Sequence, residues 1–334
     1  MSVIKKKFLI ITGPTATGKT ALAIKIASQF NGEIISSDSR HVYQGMDIGT
    51  GKDIPPNSPL VTSGNLSPHS KFRVGFRLKD NIPVWLVDIV PPSYLFNLSD
   101  FIRLAQIVRA DIWSRNKLPV IVGGTGLYIK ALINPLPLIS VPPDFKLRKN
   151  LDKKDVEDII KELIKIAPYR YQVMNASDRH NKRRLVRAIE IAKSTKKPSI
   201  YSLSPNWLMI YLVMDKGKLS KKVDQRVDQR LKEGIVAEIK RLLDHGFNFD
   251  LPSFSATPYR LFKDYFQKGQ KENQLNSIID GWKIEEARLV RKQLTWFKKM
   301  ISQNPKEKIL TLDAGKQDFL EKIEEEVHKW YTEN

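Results

Sequence analysis

The sequence predicts an α/β fold in which a parallel sheet is flanked by helices and carries an inserted helical domain. Apolar runs of strand length alternate with amphipathic helical stretches in the first part of the chain, a pattern typical of a parallel sheet covered on both faces. A proline-rich segment at 135–143 then marks a boundary. Between 144 and 200, sixteen Lys and Arg residues accompany eight Asp and Glu residues, with helical spacing. We therefore predict a core formed by 1–140 and 205–334 and an inserted helical domain at 141–204.

The segment Gly13–Thr20 reads GPTATGKT, which is the pattern of a phosphate-binding loop (P-loop). It follows the apolar run Phe8–Thr12 and precedes the helical stretch Ala21–Phe30, so a buried strand leads into a helix N-terminus. Glycines allow successive backbone N–H groups to point at an anion, and the helix dipole favours negative charge there. We expect the Lys19 ammonium on the phosphates and the Thr20 hydroxyl on Mg²⁺. The predicted phosphate site consists of Gly13, Pro14, Thr15, Ala16, Thr17, Gly18, Lys19 and Thr20.

The other apolar runs predict the order of elements in the core. Short runs that are apolar throughout are typical of buried strands, whereas the longer runs follow helical spacing. Gly45–Ser70 is rich in Gly, Pro, Ser and Asn and predicts a loop or a lid. The predicted strands and helices are strands at Glu33–Ser37, Val84–Val90, Leu118–Val122 and Trp207–Met214, and helices from Asn97 or Ser99 to Asn116, at Leu127–Ile133, at Ser220–Leu243 and at Ile284–Lys299.

Composition restricts the classes of protein. The formal net charge of +20 exceeds what solubility requires, so it favours a polyanionic partner such as nucleic acid. No stretch reaches the roughly eighteen apolar residues of a membrane span, and the basic start lacks a signal-peptide cleavage pattern. We therefore expect a cytoplasmic protein without membrane contact. The absence of cysteine excludes disulfides and thiol nucleophiles within this sequence.

One carboxylate lies at a position suited to acid–base chemistry. Asp38 follows the predicted strand Glu33–Ser37, and ligands of open α/β sheets bind at the carboxyl ends of the strands. There it would act as a general base or support a bound metal ion, whereas capping a helix is the structural alternative. A P-loop beside such a carboxylate fits an NTPase, a small-molecule kinase, or a transferase with a diphosphate leaving group.

The inserted segment carries a basic cluster. Arg183, Arg184 and Arg187 share one face of a predicted helix, while Leu185 and Ile189 point to its other side. A nucleic-acid contact and a solvated charged face are both consistent with this spacing.

Five motifs occur in order along the chain: GPTATGKT at 13–20; EIISSDS at 33–39 with VY at 42–43 and GMDIGT at 45–50; VGGTGLY at 122–128; RLVRAIE at 184–190; and RKQLTWF at 291–297. Together they resemble the motifs of the tRNA dimethylallyltransferase family. The resemblance extends from Phe8 to about Lys299, with a divergent patch at 51–83. It is to the bacterial type, since the sequence ends without the Cys/His zinc module of eukaryotic members.

The resemblance implies transfer of a dimethylallyl group from dimethylallyl diphosphate to N6 of the adenosine 3′-adjacent to the anticodon (position 37) of tRNA. Mg²⁺ is the implied cofactor, the anticodon stem-loop is the implied partner, and we expect a monomer. Asp38 would be the base, Lys19 would neutralise charge on the diphosphate, and Thr125 would help to place the adenosine or the leaving group. Arg226 matches a retained active-site arginine of the family. Besides Asp38 and Thr125, the expected tRNA contacts are Ser39, Arg40, His41, Arg148, Arg183, Arg184, Arg187, Arg291, Lys292 and Gln293.

Some positions depart from the usual pattern of that family. His41 replaces Gln, Val84 and Trp85 replace two histidines, Pro258 replaces Gly, and Lys222 replaces Arg. Of these, the change at 41 alters the expected hydrogen bonding to the adenine, and the change at 222 removes a bidentate fork.

Three alternatives stay open at this point. An adenylate isopentenyltransferase would prenylate free AMP, ADP or ATP on a related fold, but it has no need for a basic insertion. A P-loop kinase would transfer a phosphoryl group to a small metabolite. A nucleic-acid-binding protein would retain the loop without its chemistry.

Overall fold

The structure, a computed structural model, describes residues 6–55, 58–62, 72, 74–134, 141–195, 206–269, 274–305, 308–316 and 319–332. The chain divides into two compact units, one formed by Met1–Ile133 with Ser204–Asn334 and the other by Asn134–Leu203. We call them the core unit and the insertion unit. In the part of the chain that the structure describes, no helix is both long and apolar enough to cross a membrane.

The core unit is built on a single mixed sheet. Its described strands are β1 (Phe8–Thr12), β2 (Gly32–Ser36), β3 (Val61–Thr62), β4 (Gly75–Lys79), β5 (Ile82–Trp85), β6 (Leu118–Gly123), β7 (Trp207–Val213) and β8 (Ile309–Asp313). They lie in the order β3-β4-β5-β2-β6-β1-β7-β8. Neighbours from β5 to β8 are parallel, whereas β3, β4 and β5 pair antiparallel. The predicted α/β fold is confirmed, with an antiparallel edge in addition.

The helices of the core unit cover its sheet, and a separate set of helices forms the insertion unit. The core unit also contains a 3-10 helix at Pro252–Ser255, and the insertion unit contains the α-helices that lie between Phe145 and Lys193. In chain order, the described α-helices are α1 (Lys19–Gln29), α2 (Leu98–Ser114), α3 (Gly126–Ile133), α4 (Phe145–Leu151), α5 (Val156–Ile166), α6 (Pro168–Gln172), α7 (Ala176–Arg179), α8 (Lys182–Lys193), α9 (Lys216–Lys232), α10 (Ile235–Asp244), α11 (Thr257–Leu261), α12 (Lys263–Gln267), α13 (Leu275–Ser302) and α14 (Phe319–Thr332).

The central strand β1 shows why the apolar runs are continuous. All five of its residues are buried, and it pairs in parallel with β6 and β7. Leu9 and Ile11 pack in one cluster with residues of α1 and α14, whereas the guanidinium of Arg109 on α2 lies 4.8 Å from the ring centre of Phe8. Both faces are therefore covered, as in other parallel sheets. The segments that follow β1, β2 and β6 leave the sheet at the same edge.

Several predicted boundaries differ from the structure. The strand expected at Val84–Val90 ends at Trp85, because Leu86 and Asp88 adopt positive φ angles of 63° and 54°. The helix expected at Ser220–Leu243 is two helices, α9 and α10. Its interruption lies at Gly234, whose φ of 95° is left-handed.

Some elements were not predicted at all. The β4–β5 hairpin turns at Asp80 and Asn81, which both have positive φ, a conformation typical of tight hairpin turns. The strand β8 and the helix α14 extend the core unit beyond α13. The helix expected at Ile284–Lys299 is longer at both ends, since α13 covers Leu275–Ser302.

Candidate active site

The P-loop lies between β1 and α1 and has a shape that a side chain would disturb. Gly13 has a φ of 151°, and a Cβ atom there would overlap the carbonyl oxygen of Leu212. Gly18 has a φ of 83° at the N-cap of α1. The Thr17 hydroxyl donates to the Pro14 carbonyl at 2.9 Å, which closes the loop on itself. The loop thus has the strand–loop–helix context that an anion site requires.

Two side chains at the start of α1 supply charge and oxygen to this loop. Lys19 Nζ donates to the Pro14 carbonyl oxygen at 2.6 Å. Burial, with Arg226 nearby, lowers the pKa of Lys19 to about 7. An anion in the loop would favour the charged form of this lysine, because opposite charges stabilise each other. Thr20 lines the same cavity with its hydroxyl-bearing side chain.

Asp38 leaves the sheet just after β2 and is held in a fixed orientation. Its Oδ1 accepts a hydrogen bond from the Arg40 backbone N–H at 2.8 Å, and no helix begins here, so the helix-capping alternative is wrong. Burial raises the pKa of Asp38, but His41 and the Arg40 N–H outweigh that effect, and its pKa lies below the usual value. The carboxylate is therefore ionised at neutral pH and able to accept a proton.

The glycine turn after β6 is tied to both other loops. The Thr125 hydroxyl oxygen accepts a hydrogen bond from the Ser39 N–H at 3.1 Å. Gln293 of α13 accepts from the Thr15 N–H at 3.0 Å and donates to the Gly124 carbonyl at 3.2 Å. The Gln293 side chain thereby fixes the distance between the P-loop and the glycine turn. Its predicted contact with tRNA stays a prediction.

Arg226 reaches the P-loop from α9. Its Nη1 donates to the Thr15 hydroxyl at 2.5 Å, and its Nη2 donates to the Gly51 carbonyl at 3.0 Å. Asp53 Oδ2 lies 3.3 Å from the same Nη2. The guanidinium therefore adjoins the anion site, where its positive charge can stabilise a bound anion.

These groups line a cavity of about 910 Å³ in the core unit. Arg40 is also fixed there, since its guanidinium donates to the Pro252 carbonyl and to the Ser255 hydroxyl, both at 3.0 Å. Arg291 and Lys292 are exposed on α13 and do not line the cavity. The expected site residues that do line it are Thr15, Ala16, Gly18, Lys19, Thr20, Asp38, Ser39, Arg40, His41, Thr125, Arg226 and Gln293.

Glu238 supports one wall of the cavity and was missed by sequence reasoning. This buried carboxylate on α10 accepts hydrogen bonds from the backbone N–H groups of Asp47, Ile48 and Gly49 at 2.8, 2.7 and 3.0 Å. The Tyr259 hydroxyl donates to it at 2.7 Å. The segment 45–52, which carries the GMDIGT motif, is thereby anchored to a rigid helix. The GMDIGT motif was the available signal that this segment matters, but nothing in the sequence around Glu238 marks it as the partner of that motif.

A second buried cluster lies behind that segment. Lys52, whose side chain is 1% exposed, donates to the Tyr43 carbonyl at 2.6 Å and forms ion pairs with Asp47 and Asp88. Arg77 of β4 pairs with Asp88 at 2.6 Å. Because buried charges require partners, this network holds the segment 45–52 against β4 and the residues that follow β5. Asp88, expected inside a strand, instead lies in the segment after β5.

The positions that depart from the family pattern have specific surroundings. His41 Nδ1 lies 3.2 Å from the Ser36 hydroxyl, and its Nε2 lies 3.9 Å from Asp38 Oδ2. Burial lowers the pKa of His41 below its usual value, and the nearby Asp38 carboxylate opposes this effect in part. Trp85 donates through its indole N–H to buried Glu33 at 2.8 Å, a contact that holds β5 to β2. Val84 and Lys222 line the cavity, and Pro258 is buried at the start of α11.

The insertion unit divides its expected tRNA contacts into two kinds. Arg148 and Arg187 both donate to Glu190, which is buried, with nitrogen–oxygen distances of 2.6 Å and 3.0 Å. Arg183 and Arg184 are exposed, and Arg184 pairs with Asp178 at the surface. The exposed arginines lie outside the unit's core, whereas Arg148 and Arg187 hold that core together through Glu190.

Comparisons with known proteins agree with one another. The IPP transferase family model matches residues 41–300, and the isopentenyl transferase model matches residues 6–60. The tRNA dimethylallyltransferase of Roseiflexus sp. (strain RS-1) is 34% identical over 331 residues, which cover 96% of this chain and 98% of that protein. The tRNA dimethylallyltransferase of Halalkalibacterium halodurans is also 34% identical, over 96% of each chain.

Solved structures extend the similarity to the fold. The full-length tRNA isopentenylpyrophosphate transferase from Bacillus halodurans is similar with a TM-score of 0.65 and 32% identity, over 98% of this chain and 97% of that one. A eukaryotic dimethylallyltransferase acting on tRNA has a TM-score of 0.76 and 26% identity, over 96% of this chain and 77% of that one. With a family model across most of its length and relatives of similar length at one-third identity, the chain belongs to the IPP transferase family.

Proposed function

We propose that the protein transfers a dimethylallyl group from dimethylallyl diphosphate to N6 of the adenosine at position 37 of tRNA, next to the anticodon. One observation carries this proposal: a P-loop and an ionised carboxylate line the same cavity in a chain of the IPP transferase family. The relatives named above are tRNA dimethylallyltransferases, and the net charge of +20 suits a tRNA substrate.

The P-loop side of the cavity would hold the diphosphate of the donor. Backbone N–H groups of the loop, Lys19 and Arg226 would carry the positive charge that stabilises the leaving group. No cluster of three or more acidic or histidine side chains exists in the described ranges that could hold a metal ion alone. The hydroxyl oxygen of Thr20 in the cavity fits Mg²⁺, which prefers oxygen and keeps several waters and substrate phosphates as ligands. Thr20 would hold it, and the cation would neutralise charge on the diphosphate.

The opposite side of the cavity would receive the adenosine. The N6 lone pair forms a bond to C1 of the dimethylallyl group, the C1–O bond breaks, and the diphosphate leaves with that electron pair. The proton lost from N6 passes to Asp38, which is ionised and oriented by its hydrogen bond from Arg40. Thr125 lies beside this carboxylate through its hydrogen bond from Ser39, and it would help to place the adenosine.

The target base must leave the anticodon-loop stack to reach such a cavity. Basic side chains outside the cavity would bind the RNA backbone without reading its sequence. We assign this role to exposed arginines of the insertion unit, Arg183 and Arg184, and to Arg291 and Lys292 of α13. A monomeric state and a cytoplasmic location stay predictions.

The test is incorporation of labelled dimethylallyl into tRNA in the presence of Mg²⁺. The expected result is label in tRNA whose anticodon loop offers A at position 37, and none in free AMP. Label confined to free adenylate would identify an adenylate isopentenyltransferase, and γ-phosphate transfer from ATP without prenylation would identify a kinase.

A pair of matched variants makes the test specific for the base. Asp38→Asn is expected to abolish transfer while tRNA binding persists. Asp250→Asn removes a carboxylate that is exposed and pairs only at the surface with Lys263, so it should transfer normally. Full turnover by the Asp38 variant would remove its assigned role.

A further inference from the structure

A buried arginine in the cavity has no role in the mechanism above. Arg230 lies one turn after Arg226 on α9, lines the cavity, and has a side chain that is only 7% exposed. Its Nε is buried and has no hydrogen-bond partner within the described residues. Glu286 Oε1 lies 3.7 Å from its Nη1, which is beyond hydrogen-bond distance. The same oxygen already accepts from the Trp282 indole N–H at 3.1 Å.

Two guanidinium groups meet at one glycine. A Cβ atom on Gly51 would overlap Nη2 of Arg230 and would lie 2.5 Å from Nη2 of Arg226. The two Nη2 atoms are therefore less than about 5 Å apart, a separation at which like charges repel strongly in a partly enclosed site. Asp53, which lies 3.3 Å from Arg226, is half exposed, and Glu286, which lies 3.7 Å from Arg230, already accepts from Trp282, so each guanidinium has only a partial counter-charge. Burial and Arg226 lower the pKa of Arg230 to about 10, so it stays protonated at neutral pH.

An anion between the two groups would relieve this repulsion. Arg226 donates to the Thr15 hydroxyl of the P-loop, so the arginine pair adjoins the phosphate loop. A diphosphate presents two phosphate groups, of which the loop and Lys19 can surround one. We infer that Arg230, together with Arg226, binds the second phosphate of the donor's diphosphate; this inference rests on the proposed function. Gly51 is then required because a side chain there would displace both guanidinium groups.

The competing explanations are a purely structural arginine and a contact with a tRNA phosphate. The structural explanation has Arg230 stacked near Trp282, whose ring centre is 6.0 Å from its Cζ, as a support for α13. The burial of Arg230, whose side chain is 7% exposed against 27% for Arg226, argues against a contact with the RNA backbone. Affinities for diphosphate and for tRNA, measured separately, distinguish all three.

The experiment compares variants of the full chain by calorimetric titration with inorganic diphosphate and Mg²⁺. Replacing Arg230 alone would leave Glu286 buried without a counter-charge, so the main variant is Arg230→Met with Glu286→Gln. Losing a charge-assisted bidentate contact should weaken diphosphate binding by about tenfold to hundredfold. Lys221→Met, which removes an exposed charge from the same helix, is the matched control and should change the affinity less than about twofold.

Further outcomes decide between the explanations. Arg230→Lys keeps the charge but loses the planar fork, so its diphosphate affinity should lie between that of the wild type and that of the double variant. If the double variant does not fold, Arg230→Lys carries the test, and wild-type affinity in Arg230→Lys would then overturn the inference. Affinity for bulk tRNA without donor should stay within about twofold in all variants. Unchanged diphosphate affinity in a folded double variant would overturn the inference, as would a loss confined to tRNA.

The inference and the proposed function fail separately. If the wild-type protein prenylates no tRNA, and replacing Arg230 nevertheless weakens diphosphate binding, only the proposed function is wrong. If it prenylates tRNA while the variants bind diphosphate equally well, only the role of Arg230 is wrong.

Discussion

Replacing Glu238 by Gln should release the wall of the active site. The carboxylate is 4% exposed and accepts from four donors: Oε2 serves the N–H groups of Asp47 and Ile48, and Oε1 serves Gly49 and the Tyr259 hydroxyl. An amide presents one oxygen and one NH₂ group, so at least one backbone N–H must face another donor.

The size of the effect follows from this count. A hydrogen bond to a charged group contributes about 1.5–3 kcal/mol, and an unsatisfied buried donor costs about 1–3 kcal/mol. Because the remaining bonds also lose their charge assistance, we expect the free energy of unfolding of Glu238→Gln to fall by about 3–5 kcal/mol. Tyr259→Phe removes a single donor and should cost about 1–2 kcal/mol, since the carboxylate keeps its three backbone bonds.

Hydrogen exchange measures this loss locally. Amides of the segment 45–52 should exchange about a hundredfold faster or more in Glu238→Gln, because each 1.4 kcal/mol of opening free energy changes the rate about tenfold. Glu233→Gln is the control, because this exposed glutamate accepts a hydrogen bond from Gln229 at the surface. It should change the free energy of unfolding and the opening free energy of the segment 45–52 by no more than about 0.5 kcal/mol. Exchange at wild-type rates in Glu238→Gln would show that the four bonds do not hold the segment.

Three further predictions concern catalysis, RNA binding and the insertion unit. Burial opposes ionisation of Asp38, but its pKa is below the usual value of an aspartate. The transfer rate should therefore stay constant on acidification and fall only at a pH below the usual pKa of an aspartate. His41→Gln should move this fall in rate to higher pH, and a fall near pH 6 in the wild type would contradict the assignment of Asp38 as the base. Arg183→Ala with Arg184→Ala should weaken tRNA binding and reduce the slope of log K against log salt by about 2; an unchanged slope identifies a solvated face. Glu190→Gln should lower the stability of the insertion unit by about 3 kcal/mol, seen as faster limited proteolysis within 141–195, and unchanged proteolysis would argue against the buried ion pairs.

Some departures between expectation and structure have plain physical causes. The β4–β5 hairpin was missed because its inward side chain at Arg77 is charged, and its burial depends on an ion pair with Asp88 and on hydrogen bonds to the carbonyls of Pro55 and Ser58. The break between α9 and α10 lies at Gly234, a residue that local periodicity does not register when apolar positions continue on both sides.

The central part of the site was predictable from the sequence because local rules determine it. Glycine spacing with Lys19 and Thr20 specifies a P-loop after any buried strand, and the end of a parallel strand places Asp38 beside that loop. The alternation of apolar runs with helical stretches likewise determined the α/β class.

Only the tertiary structure decided how the long-range partners meet. Gln293 bridges two loops that lie more than 150 residues before it. The guanidinium groups of Arg226 and Arg230 both lie against Gly51. Glu238 binds a segment almost 200 residues away. Each of these side chains follows an ordinary helical pattern in the sequence. Their roles depend on which backbone groups the packing of α9, α10 and α13 against the sheet leaves within hydrogen-bond distance, and local sequence does not encode that packing.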